Sequence, residues 1–160
     1  MNKLRLICFC LLGSINLASS QSSNILPTVF QTGAYEKEYA QLVVDHNAML
    51  LTVCDNSMDK AYLLWTNMLR DIESKAEEQG YDIKGVKIWI NAFWNKDGGI
   101  DHIVFYPKPT SKNIDYKEFE RFLNEIADQL HIEVYTEKGF SHYGSASFPI
   151  YHKLHKATNN

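Results

Sequence analysis

The chain is poor in cysteine and proline, and it lacks the common catalytic signatures. It has three cysteines, two of which, Cys8 and Cys10, fall in the first twenty residues. Only Cys54 follows, so a chain shortened at its start could not close an internal disulfide. Cys54 reads as a small buried hydrophobe rather than a reactive thiol. Four prolines, none in a run longer than Pro107-Lys108-Pro109, exclude a stiff proline-rich spacer. There is no basic block, and the formal net charge is −3, which argues against nucleic acid as a partner. Beyond the first twenty residues no apolar run is long enough to span a membrane. Dinucleotide, phosphate-loop, HExxH and CxxC motifs are all missing, so no cofactor is implied. Gly144-Ser145-Ala146-Ser147 does not make a nucleophile elbow, which needs glycine on both sides of the serine at a strand-to-helix turn.

What is present begins with a targeting pattern. Lys3 and Arg5 precede the apolar core Leu6-Ile7-Cys8-Phe9-Cys10-Leu11-Leu12, and Ala18-Ser19-Ser20 supplies small residues for cleavage before Gln21. That is a secretory signal peptide over residues 1–20, and it predicts a periplasmic or secreted protein. A lipoprotein reading is disfavoured, because Cys8 and Cys10 lie inside the apolar core. The remainder, about 140 residues, suits one domain. We expect a flexible leader at 21–33, a single α+β domain at 34–151 and a polar tail at 152–160.

The domain is organised around residues 86–109. Val86, Ile88, Ile90, Ala92 and Trp94 alternate with polar positions as in a half-buried strand. Asn95-Lys96-Asp97-Gly98-Gly99 is a turn, with Gly98 placed to take positive φ. Ile100, Ile103, Val104 and Phe105 form the return strand, and their uneven spacing predicts a bulge after Gly98. Three helices are expected around this hairpin. Residues 34–53 carry Tyr35, Tyr39, Leu42, Val43, His46 and Leu50 on one face. Residues 58–76 follow the cap formers Asp55-Asn56-Ser57 and stop at Gly80. Asp115 and Glu118 open a third, with Phe119, Phe122, Leu123, Ile126 and Leu130 as its apolar face. Residues 131–135 are a short strand or an extended link, and 140–150 contain a last strand that Pro149 places at or near an edge. The fold expected is a small antiparallel sheet of about three strands with helices packed on it.

Candidate chemistry gathers in the last strand. Phe140, His142, Tyr143, Ser145, Ser147 and Phe148 are the candidate binding residues. A His–Ser hydrolytic pair needs convergence, yet strand neighbours such as Ser141 and His142 face opposite ways. The plainer reading is that small residues here allow close packing. His142, His152 and His155 have no acidic or cysteine company, so no metal site is expected. His46 reads as a satisfied, partly buried histidine. Trp89 and Phe93 share the face opposite Ile88 and Ile90. They are either covered by the N-terminal helix or form an exposed aromatic patch with Tyr106. Lys108, Ser111, Lys112 and Asn113 form a loop able to meet an anion, though a solvated loop is simpler.

The stretch from Gly85 through Val86, Ile88, Ile90, Asp97, Gly98, Ile100, Ile103 and Phe105 resembles the TonB C-terminal domain pattern, in which a hairpin is followed by a helix and a last strand. FWNKDGGIDHI, KPTSKNID and FSHYGSASFP also look like a group of short secreted proteins of Bacteroidetes-type bacteria, mostly without assigned function. The resemblance spans residues 85–150. It implies strand addition, in which the last strand pairs with an extended peptide. The retained anchor and long spacer of TonB are not matched, so energy transduction is not implied. The expectation is therefore a non-enzymatic module that binds a protein or peptide of the cell envelope. The alternatives are a small hydrolase or ligand-binding protein using His142 and Ser145, and a structural envelope component.

Overall fold

The computed structural model describes residues 26–150. The expected signal peptide, the first part of the expected leader and the expected tail lie outside the described residues. In chain order the elements are β1 Val29–Gln31, α1 Glu36–Asp45, β2 Ala48–Met49, α2 Leu50–Val53, α3 Met58–Glu78, β3 Lys87–Trp94, β4 Ile100–Pro107, α4 Tyr116–Ile126 and β5 Phe140–Ser147. A single 3-10 turn, Ala127–Gln129, extends α4.

The hairpin forms as its residues dictate. Asn95 closes the turn through its side chain, whose Oδ1 accepts from the amides of Asp97 (2.9 Å) and Gly99 (3.1 Å). Gly98 takes φ +91°, and a Cβ there would lie 2.0 Å from the Ile132 carbonyl oxygen. Glycine is thus required twice over, for its backbone and for the close approach of the 131–134 link. The expected bulge is present: Phe93 pairs with His102 but Trp94 pairs with Ile100, leaving Asp101 unopposed.

Two helices cover one face of the sheet. The Ser57 side chain caps α3 by accepting from the Lys60 amide, and Asp115 caps α4 by accepting from the Lys117 and Glu118 amides. Helix α3 ends where Tyr81 N–H donates to Ala76 O and Gly80 N–H to Glu77 O, with Gly80 at φ +67°. Trp65, Met68, Leu69 and Ile72 of α3, with Phe119, Leu123 and Ile126 of α4, bury Ile88, Ile90, Ala92, Trp94, Ile103 and Phe105. Each such large side chain withdrawn from water contributes roughly 1.5–3 kcal/mol.

The sheet is larger than expected, and it is mixed. Five strands run in the order β1-β4-β3-β5-β2. β3 is antiparallel to both β4 and β5, whereas β1 pairs with β4, and β2 with β5, in parallel. Residues 29–31 therefore do not belong to a flexible leader. Val29 and Phe30 are fully buried, and the Asn124 side chain accepts from the Val29 amide and donates to the Val29 carbonyl. The single helix expected over 34–53 is likewise interrupted. It caps at His46, and Ala48 and Met49 pair with Phe140 and Ser141 before α2 begins. Pairing with a distant strand overrides the local helical period there.

Candidate binding edge and aromatic face

Strand β5 sits beside β3 along its whole length, but β2 reaches only Phe140 and Ser141 on its other side. From His142 to Ser147 the outer edge has no strand partner among the described residues. The Phe148 amide donates to Val86 O, so the hydrogen-bonding groups of alternate residues 142, 144 and 146 turn toward β3. The amides and carbonyls of Tyr143, Ser145 and Ser147 turn outward. This stretch contains no charge and no proline, the usual devices that keep a free edge from pairing.

The candidate residues divide between three places. Phe140 and Phe148 are buried in the core, at 0% and 3% exposure, and offer no surface. His142 turns to the helix side, where its ring meets Trp65 edge-on at 4.6 Å. Burial there pushes its pKa below the ordinary histidine value of 6.5. Tyr143, Ser145 and Ser147 are on the opposite face. The fold therefore does not bring His142 and Ser145 together, and no carboxylate pairs with His142 among the described residues. The close-packing reading of the small residues holds at Gly144 and Ala146. A Cβ on Gly144 would sit 2.8 Å from the Trp65 ring, and Ala146 is fully buried.

The second face of the sheet is covered only in part. Helix α1 lays Leu42 and Tyr39 over Phe93, and Phe30 and Val104 join them. Farther along β3 the cover stops. Trp89 is 40% exposed, Tyr106 of β4 is 55% exposed and Tyr143 of β5 is 61% exposed. The pair Trp89 and Phe93 is thus split between the two expectations. Trp89 stacks on Tyr143, and Lys108 Nζ stands 4.1 Å from the Trp89 ring centre. Between these rings and α1 lies a cleft of about 580 Å3. Asn91 forms part of its floor and is 8% exposed. Its Nδ2 donates to the Tyr39 hydroxyl at 3.3 Å, while Oδ1 has no partner among the described residues. An unpaired buried amide oxygen costs roughly 1–3 kcal/mol.

Other candidates are absorbed by structure. His46 is buried, with Nδ1 3.0 Å from Leu42 O and Nε2 3.0 Å from Asp101 Oδ2. Both acceptors lack hydrogens, so the ring makes both bonds when each nitrogen carries one. Asp101 was invisible as a partner in the sequence; its only signal was the bulge that turns it outward. In the 108–113 loop, Ser111 accepts from the Lys87 amide, and Lys112 pairs with Asp82 at 2.7 Å. That bond to Lys112 holds the Asp82 carboxyl below its usual range. No cluster of three metal-ligating side chains occurs among the described residues; His152 and His155 lie outside them. No described helix is long and apolar enough to cross a membrane.

The chain matches no protein-family model, no curated protein and no solved structure.

Proposed function

We propose that this chain is a secreted or periplasmic, non-enzymatic binding module with a TonB C-terminal-like core. It takes an extended peptide of a cell-envelope protein as an added strand on the outer edge of β5. The observation that carries this reading is the shortness of β2. Two residues of β5 are covered, and the outward amides of Tyr143, Ser145 and Ser147 are left without a strand partner among the described residues. Main-chain pairing along such an edge supplies affinity, and the side chains beside it supply selectivity. Tyr143 and Ser145 flank the edge on the open face and would meet every second residue of the incoming strand.

The test combines capture and mapping. Immobilised protein is exposed to envelope extract, and any captured protein is reduced to the shortest binding peptide. Hydrogen exchange then reads the amides of Tyr143, Ser145 and Ser147. Protection of these amides by the peptide is the expected result. Ser145→Pro removes one outward N–H without touching the ladder to β3, and it should abolish capture while leaving the fold intact. A peptide that protects other amides, or that binds Ser145→Pro as well as the parent, would sink the proposal.

A further inference from the structure

The open face of the sheet carries a second site, separate from the β5 edge and sharing only Tyr143 with it. Val104 and Asn91 floor the cleft of about 580 Å3, and Tyr39, Trp89, Tyr106 and Tyr143 wall it. That volume falls within the roughly 300–1,000 Å3 of small-ligand sites. We propose that this cleft binds a neutral carbohydrate.

Three observations select that class. First, four of the seven lining residues are aromatic, and Thr32 and Asn91 add only a hydroxyl and an amide. A sugar ring presents apolar C–H faces to such rings, and its rim of hydroxyls both donates and accepts. Second, the floor holds an unsatisfied polar atom. Asn91 is more than nine-tenths buried, with one amide atom bonded to Tyr39 and the other without a partner among the described residues. Turning the amide over exchanges the two atoms and still leaves one unpaired, and a sugar hydroxyl can satisfy either. Third, the alternatives fit poorly. No charged side chain lines the cleft, and the one charge at its rim, Lys108 over Trp89, would repel a cationic ligand. A peptide adding as a strand needs free main-chain groups, and beneath the cleft β3 and β4 have spent theirs on each other and on β5 and β1.

The test is NMR titration of the full chain with four probes: glucose, N-acetylglucosamine, cellotetraose and chitotetraose. The expected result is saturable shifting of the Trp89 indole N–H and the Asn91 side-chain amide by at least one probe. Trp89→Ala and Asn91→Leu should each weaken that binding by about tenfold or more. Tyr106→Ala serves as a further variant, its side chain being mostly exposed and its loss harmless to the core. Absence of shifts at these groups with all four probes at roughly millimolar concentration overturns the proposal. So does unchanged affinity in folded Trp89→Ala and Tyr106→Ala, or a proline-rich peptide moving these resonances where no sugar does. Tyr106→Ala, two strands away from the β5 edge, separates the two sites: it should weaken sugar binding and leave peptide capture unchanged, so failure of the β5 edge and failure of the cleft read differently.

Discussion

Trp89 and Tyr143 stack across two neighbouring strands, with ring centroids 5.8 Å apart and planes inclined by 14°. They are not directly opposed, because Trp89 faces Ser145 and Tyr143 faces Asn91 in the β3–β5 register. The contact is a diagonal one, and it ties the free edge to the open face. Tyr143 is 61% exposed, so Tyr143→Ala should cost only about 0.5–1 kcal/mol of stability in urea unfolding. The same variant should measurably weaken any ligand of the edge or the cleft. A loss well above that range would mean Tyr143 supports the core instead.

Gly98 and Gly80 both have positive φ, at +91° and +67°, but their surroundings differ. Nothing lies within 4 Å of a Cβ at Gly80, so Gly80→Ala should cost about 1 kcal/mol from backbone conformation alone. At Gly98 the added Cβ would strike the Ile132 carbonyl oxygen at 2.0 Å. Gly98→Ala should therefore cost roughly 3 kcal/mol or more, since the 131–134 link must also move. Thermal or urea unfolding of the pair checks the difference; equal losses would show that packing against the link is unimportant.

Burial against Trp65 lowers the His142 pKa from the ordinary 6.5. The unfolded chain then binds a proton more readily than the folded one. His142's contribution to stability is complete above the unfolded value and is lost as pH falls through it toward the folded value. NMR titration of the His142 ring should give a midpoint below about 6.5. Trp65→Ala, which opens the ring to water, should raise that midpoint. In His142→Gln, unfolding measured from about pH 7 to pH 5 should lose less stability than the parent does. A parent and variant that fall in parallel would refute the assignment.

Asn91 is costly to the fold if it serves nothing but packing. Asn91→Leu removes the unpaired amide atom and fills the site with carbon, and the Tyr39 hydroxyl it releases can turn to water. We expect the variant to be as stable as the parent, or up to about 1–2 kcal/mol more stable. Calorimetric Tm decides this. A destabilised Asn91→Leu would mean the amide is satisfied in solution.

The central elements were legible because their signals are local. Residues 86–94 alternate, Asn95 and Gly98 carry turn chemistry, and Ser57, Gly80 and Asp115 mark helix ends within a few residues of what they stop or start. The candidate site was legible only in part. Residues 140–148 were visible as β-prone and polar, but not which of them would be buried. Phe140 and Phe148 went to the core and Tyr143 to the surface, because one face of β5 met Trp65 and α3.

The amino-acid sequence by itself determined the hairpin, its bulge, the two long amphipathic helices and the α+β class, since each rests on periods and caps read over a few neighbours. The tertiary structure alone decided the rest. β1 and β2 are three and two residues long, too short to show any period, and they pair with partners more than seventy residues away. Because β2 is so short the outer edge of β5 stays open, and because α1 lays Tyr39 and Leu42 over Phe93 the Trp89 end of the open face stays uncovered.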